Sequence, residues 1–149
     1  MSTTAVMPPA TTLYHRDETA WLDQMAALAA AGRADALDLP NLGEYLSDMA
    51  NRDRREVFSR LVVLLAHLLK WDHQPDRRGG SWRGTVREQR RELRQLLASG
   101  VLRNYAEDVF ADAYAEARGQ AADETELDPA VFPTANPWAL DDALGDGVA

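Results

Sequence analysis

The stretch that most constrains the fold runs from residue 56 to 83, where an apolar helix leads through a Pro/Gly turn into a basic one. Between Leu61 and Trp71 nearly every residue is apolar, so a helix here has no side suited to water. A helix that is apolar all round must be surrounded by other helices. Pro75 disfavours a helical conformation just before it, so we expect the helix to end at about Trp71 or His73. The turn that follows is short, which predicts an antiparallel helix beside the first.

The remaining segments show helical periodicity and no strand pattern of useful length. They predict an all-α, single-domain bundle of about five helices, with the third and fourth as the central antiparallel pair. We expect the bundle to cover residues 14–144, between disordered ends at 1–13 and 145–149. The predicted helices are a first from Asp17 to about Ala31, a short second around Leu42 to Met49 capped by Asn41, the apolar third, a fourth capped by Ser81, and a fifth from near Val101. Phe132, Trp138 and Leu140 predict a tail that straps across the bundle.

Charge is distributed unevenly along the 149 residues. The net charge is −8, but residues 52–103 carry 13 basic and 6 acidic residues, while the remainder carries 3 and 18. The simpler interpretation is that the acidic arms fold back and neutralise the basic centre; an external anionic partner is the alternative. All basic residues except Lys70 are arginines, which pair with carboxylates or phosphates in a planar, bidentate way.

The candidate ligand-binding site lies where the third helix ends and the fourth begins. Residues at positions i, i+3, i+4 and i+7 share one helical face. The short turn brings the start of the fourth helix back towards that face, so cations, two indoles and free helix amides would meet and could bind an anion or a carboxylate. The structural alternative is that two tryptophans close the core there. The candidate residues are His67, Lys70, Trp71, Gln74, Arg78, Ser81, Trp82, Arg83 and Arg87.

The sequence does not predict an active site or a metal site. His67 is one histidine inside an apolar run, and a general base also needs an orienting partner and a cavity. Glu44 and Asp48 lie one helical turn apart, but no histidine stands at ligand spacing from them. The 149 residues include no cysteine, which excludes disulfides and thiolate ligands and fits a reducing cytosol. We expect no cofactor and no catalytic residue.

The fourth helix carries a basic side that could lie against nucleic-acid phosphates, formed by Arg83, Arg87, Arg90, Arg91 and Arg94. Against this, Glu88 and Glu92 are interleaved, and no nucleic-acid recognition motif is present. These features favour another kind of partner over nucleic acid. Gln89 falls on the predicted inner stripe, where it must bond to a polar group such as His67 or mark a packing gap. The longest apolar run is too short to span a bilayer, and we expect no membrane association.

Several segments together resemble the bacterial family known as domain of unknown function twenty-nine. The specific part is His-Leu-Leu-Lys-Trp at 67–71 followed by Ser-Trp-Arg at 81–83. Asp-Leu-x-Asn-Leu-x-Glu at 38–44 matches as well, although family members tend to carry a second acidic residue where this chain has Tyr45. The resemblance implies an all-helical cytoplasmic protein of bacteria and brings no activity, cofactor or substrate with it.

From these features we expect a small non-enzymatic protein-interaction or adaptor domain. Its partner surface would be either the acidic arms or the basic end of the bundle, and the partner would be another protein or a second copy. A module that binds an anion, a phosphate-bearing ligand or RNA through the fourth helix is the alternative. A hydrolase-like enzyme built on His67 is a distant third.

Overall fold

The computed structural model describes residues 10–145, and this part of the chain is helical without a strand. The α-helices are α1 (Ala10–Arg16), α2 (Glu18–Ala30), α3 (Leu39–His73), α4 (Gly80–Leu96), α5 (Gly100–Thr125) and α6 (Leu140–Ala143), and single 3-10 turns occupy Ala34–Ala36, Pro75–Arg77 and Pro129–Val131. The predicted disordered ends fall mainly on residues 1–9 and 146–149, which lie outside the described residues. Residues 10–13 belong to α1, which the sequence analysis did not predict.

Internal contacts divide the chain into two compact units, residues 1–50 and 51–149. In the first unit, Trp21 is fully buried and packs with Tyr14 and Met25. Helix α2 begins and ends as predicted: the Asp17 carboxylate accepts a hydrogen bond from the amide of Ala20 at 3.1 Å. Gly32 follows the helix with φ +71°, a left-handed conformation that favours glycine.

A buried carboxylate organises the link between α2 and α3 in the first unit. Asp38 is 7% exposed and accepts hydrogen bonds from Trp21 Nε1 at 3.1 Å and from Asn41 Nδ2 at 2.9 Å. These bonds satisfy a group that would be costly to bury unpaired. Tyr45 packs edge-on against Trp21, with ring centroids 5.8 Å apart. The motif at residues 38–44 is therefore explained here by local packing and hydrogen bonding, with Tyr45 as part of the same core.

The prediction of separate second and third helices is wrong, because α3 is one helix of 35 residues. The polar stretch from Asn51 to Arg55 has neither glycine nor proline, so nothing in its backbone chemistry breaks the helix. Asn41 lies inside α3 and is not its cap. Residues 10–145 consequently contain four longer helices, α2 to α5, where the sequence predicted about five.

In the second unit, the predicted antiparallel pair of α3 and α4 is confirmed. Arg60 Nη1 donates to Gln89 Oε1 at 3.1 Å, and the Lys70 ammonium lies 5.4 Å from the centre of the Trp82 ring, so positions pair in opposite chain directions. Gln89 thus finds its partner in Arg60 and not in His67. The α4 cap is Gly79, and Ser81 lies inside the helix, which corrects the predicted cap.

The core of the second unit surrounds α3 as the apolar run requires. Its fully buried side chains come from α3, α4, α5 and the tail, which we define as residues 126–145. Small residues of α5 allow close helix approach, and the tail closes the core. The main contributors are Val57, Leu61, Leu64, Leu65 and Leu69 of α3, Leu93 of α4, Ala106, Ala113, Ala117 and Ala121 of α5, and Phe132, Leu140 and Leu144 of the tail.

The tail crosses the unit as predicted and is held by hydrogen bonds from α5. Tyr114 donates to the carbonyl oxygen of Pro133, and Arg118 Nε donates to that of Phe132 at 3.1 Å. Asp128 caps the turn at Pro129–Val131 by accepting from the amide of Ala130 at 2.9 Å. Hydrogen bonds from Arg90 and Arg94 of α4 to carbonyl oxygens of Ala143 and Leu144 hold the tail beside α4, where the candidate site forms.

The continuity of α3 can be tested with a proline. Arg52 is exposed, so Arg52→Ala should change stability little. Arg52→Pro should lower the free energy of unfolding by about 3 kcal/mol, because proline removes a helical hydrogen bond and clashes with the preceding turn. Urea denaturation followed by circular dichroism measures both variants. Equal stability of the two would show that α3 is interrupted at this point.

Candidate functional site

The residues predicted for the site divide into two clusters because Lys70 and Trp71 are consecutive on α3. Successive residues of an α-helix point about 100° apart, since 3.6 residues complete a turn. Lys70 therefore turns towards Trp82 and α5, whereas Trp71 turns towards Arg78 and Arg83. The sequence analysis placed Lys70 and Trp71 on one face of α3. In the structure the two side chains leave opposite edges of that face.

The first cluster centres on the ammonium group of Lys70, which is only 6% exposed. Its Nζ donates to Glu124 Oε2 at 2.5 Å and lies over the face of Trp82. A buried cation needs such compensation, because removal from water costs several kcal/mol. We call Lys70, Glu124, Trp82 and His67 the Lys70 cluster. It joins the ends of α3 and α5 to the start of α4.

His67 is half-buried and its ring is held by its own helix. Nδ1 lies 2.9 Å from the carbonyl oxygen of Val63, a contact in which the nitrogen donates. Burial lowers the pKa of His67, the hydrogen bond to Val63 opposes that change, and the charge of Lys70 adds to it. A neutral imidazole inside a helix junction is thereby favoured.

Glu124 is the most exposed member of the Lys70 cluster. Burial alone would raise the pKa of Glu124, but hydrogen bonds from Lys70 and from Gln120 outweigh it and lower that pKa. The carboxylate therefore stays ionised opposite the ammonium. The two charges compensate each other and join the ends of α3 and α5.

The second cluster lines an open groove of about 620 Å³ in the second unit. We call it the arginine groove. Its walls combine guanidinium groups from one side of α4 with two indoles, two aliphatic side chains and two carboxylates. The lining residues are Leu68, Trp71 and Asp72 of α3, Arg83, Val86, Arg87, Arg90 and Arg94 of α4, and Trp138 and Asp142 of the tail.

Trp71 forms one end of the arginine groove and is covered by cations. The guanidinium carbons of Arg78 and Arg83 lie 5.0 Å and 5.9 Å from its ring centre. Arg78 Nε also donates to the carbonyl oxygen of Trp71 at 2.7 Å, which fastens the turn after α3. Stacking of this kind leaves the edge of a guanidinium available for hydrogen bonds to a ligand.

The four arginines of the groove fall into two pairs with different roles. Arg90 Nε donates to the carbonyl oxygen of Ala143 at 2.9 Å, and Arg94 donates to that of Leu144. These two hold the end of α6, where unpaired carbonyl groups attract cations. Arg83 and Arg87 are exposed, and neither forms an ion pair with a carboxylate anywhere in residues 10–145.

The acidic arms neutralise the basic centre only in part. Lys70 pairs with Glu124, and Arg103 pairs with Asp141 at 2.6 Å and with Glu107 at 3.2 Å. No described carboxylate reaches Arg83 or Arg87. The open end of the arginine groove therefore presents positive charge from a chain that is acidic overall.

Of the nine predicted site residues, Trp71, Arg83 and Arg87 line the arginine groove. Arg78 stacks on the ring of Trp71. His67, Lys70 and Trp82 form the Lys70 cluster. Gln74 is half-buried before the Pro75–Arg77 turn, and Ser81 is exposed, so neither joins a cluster through a described side-chain bond.

Sequence reasoning missed several groove residues. The sequence pattern placed Arg90 and Arg94 on the basic side of α4 and Trp138 in the tail that crosses the bundle, but did not assign them to the site. Leu68, Asp72, Val86, Asp142 and, in the other cluster, Glu124 reach their places through packing between distant segments. Helical periodicity marks Leu68 and Val86 as apolar positions, but no local pattern marks Asp72, Asp142 or Glu124.

The lining of the arginine groove shows which ligand chemistry the site can hold. Within residues 10–145 there is no group of three or more histidine, aspartate or glutamate residues placed to hold a metal ion. In the same range no helix is both long and apolar enough to cross a bilayer. The arginine groove offers guanidinium forks, an apolar floor and indole faces, which together can hold an anionic group beside an apolar one.

Fold and site together define an all-helical protein whose second unit carries an arginine-lined surface groove. The chain belongs to the family described as "Domain of unknown function DUF29", whose family model matches residues 13–147. The family resemblance seen in the sequence is thus confirmed. No curated protein and no solved structure shows significant similarity to the chain.

The pairing of Lys70 with Glu124 can be tested by removing each partner in turn. Glu124→Gln leaves a buried ammonium without its counter-charge and should lower the free energy of unfolding by about 1–3 kcal/mol, a value reduced because Glu124 is partly exposed. Lys70→Met replaces the cation by an apolar chain of similar length and should cost less than about 1 kcal/mol. Urea denaturation measures both. A larger loss for Lys70→Met would contradict the assignment.

The pH dependence of stability should report His67. Because its pKa is lowered on folding, the unfolded chain binds the proton more readily, so stability should fall as pH drops through about 6.5. Protonation of Glu124 affects stability only near and below pH 4.5, the ordinary value of its pKa. Denaturation between pH 7.5 and 5.5 should therefore show a shallower slope for His67→Gln than for the unsubstituted protein. Identical slopes would refute the prediction.

Proposed function

We propose that this protein is a non-enzymatic protein-interaction module whose partner surface is the arginine groove. The observation that carries the proposal is the pair Arg83 and Arg87, exposed in a groove with an apolar floor and without a described carboxylate partner. Such a surface suits a protein segment that presents carboxylates next to apolar side chains. A cytoplasmic location belongs to the same proposal and rests on the family resemblance.

The composition of the groove supports protein recognition. Arginine and tryptophan are over-represented among the residues that dominate binding energy at protein interfaces. Trp71 and Trp138 are half-buried, so each keeps part of its indole available for contact. Tyr114 packs edge-on against Trp138, with centroids 6.4 Å apart, which fixes that ring before a partner arrives.

The surroundings of His67 support a non-enzymatic role. Its Nδ1 is engaged by a backbone carbonyl, and the nearby Glu124 carboxylate is engaged by Lys70 and Gln120. His67 is not among the residues lining the arginine groove. A general base needs both an orienting partner and access to substrate.

A phosphate-bearing ligand or RNA is the second candidate, because arginine forks also bind phosphate. Asp72 and Asp142 line the same groove, and Glu88 and Glu92 alternate with the arginines along α4. These carboxylates would repel a continuous phosphate backbone. A protein partner, whose charges are discrete, fits the mixed pattern better.

The proposal can be tested with a photo-reactive residue placed on α4 at Gly84, next in the chain to Arg83. A side chain at Gly84 of α4 would meet nothing within 4 Å, and the same holds for Gly43 of α3, which serves as a matched control. In cells of the native host, Gly84→benzoylphenylalanine should give a discrete protein adduct and Gly43→benzoylphenylalanine should not. Adding Arg83→Gln and Arg87→Gln should abolish the adduct, whereas Arg52→Gln and Arg55→Gln should leave it.

Three results would overturn the proposal. They are no adduct from Gly84, the same adduct from both positions, and an adduct that persists after both groove arginines are replaced. An adduct that a nuclease removes would favour the nucleic-acid alternative.

A further inference from the structure

We infer that the arginine groove binds the outer face of helix α5 from a second copy of this chain. The inference rests on the proposed function and names its partner. It follows from the charges and spacing of two surfaces of the second unit, the groove and an acidic ridge on α5. We define the acidic ridge as Asp108, Asp112 and Glu116.

The acidic ridge is exposed and lacks compensation. Its three carboxylates stand one helical turn apart, and no described residue gives any of them a hydrogen bond or an ion pair. Like charges at i and i+4 destabilise a helix, so a cation supplied from outside would relieve an existing strain. Ala111 and Ala115 are exposed between them, and their small side chains allow another surface to approach closely.

The spacing of the groove arginines matches that of the ridge. Arg83 and Arg87 are one turn apart on α4, a rise of about 6 Å along the helix axis. Asp112 and Glu116 are separated by the same rise. Two guanidinium groups can therefore engage two carboxylates at once, each through a planar fork.

The chain already shows what arginines in this row bind. Arg90 and Arg94 of α4 donate to the carbonyl oxygens at the end of α6, and on α5 Arg103 donates to Asp141 and Glu107. Each of these contacts joins a guanidinium to negatively polarised oxygen of a helix. The docked α5 ridge would extend the same chemistry to Arg83 and Arg87.

The two surfaces are different, so each copy would donate one and accept with the other. When each pair of copies makes this contact once, the association is heterologous and leads to rings or open chains. The average mass should therefore rise with protein concentration. It should fall in high salt, because exposed ion pairs are screened.

Two variants and their mixture test the contact by sedimentation. The groove variant carries Arg83→Gln and Arg87→Gln; the ridge variant carries Asp108→Asn, Asp112→Asn and Glu116→Gln. Each alone should weaken self-association by about tenfold or more, since two exposed ion pairs contribute about 1.4 kcal/mol together. Mixed in equal amounts, they should form one-to-one dimers that do not grow, because each supplies the surface that the other lacks.

Circular dichroism confirms that the variants are folded, and Arg52→Gln with Arg55→Gln is the matched control that should associate like the unsubstituted protein. A monomer at all concentrations would overturn the inference, as would oligomers that survive in both variants or a mixture that stays monomeric. A monomer that still gives the Gly84 adduct with another protein would remove only this inference and leave the proposed function standing.

Discussion

The structure of the second unit depends on the need to keep the apolar run of α3 away from water. Leu61, Leu64, Leu65 and Leu69 are fully buried, so α4, α5 and the tail must each cover one side of the same helix. This covering brings the end of α3, the start of α4 and the end of α5 together. The Lys70 cluster and the arginine groove form because α4, α5 and the tail all pack against the apolar part of α3.

Much of the fold was predictable because its signals are local. The end of α3 before Pro75, the cap at Asp17 and the antiparallel return into α4 follow from single residues or short spacings. The helix boundary expected near residue 51 failed because polarity alone does not end a helix. The end of α5 was equally hard to place, since the left-handed residue there is Glu126 with φ 59° and not a glycine.

The candidate site was predictable only where its residues lie close in the chain. The spacing on α3 identified Lys70 and Trp71 as site residues. Because consecutive residues of a helix point about 100° apart, the two side chains belong to different clusters. Glu124 lies 54 residues beyond Lys70 in the chain, and Ala143, next to Asp142, lies 53 residues beyond its partner Arg90. Their positions depend on how α5 and the tail pack, which no periodicity in α3 or α4 encodes.

The burial of Lys70 has a practical and a regulatory consequence. It is the only lysine of the chain, and its ammonium is enclosed by a carboxylate and an indole. Acylation and ubiquitin attachment at a lysine side chain need an accessible ε-amine. In the folded protein the ε-amine of Lys70 is buried, so these lysine-directed reactions would act only after the core opens.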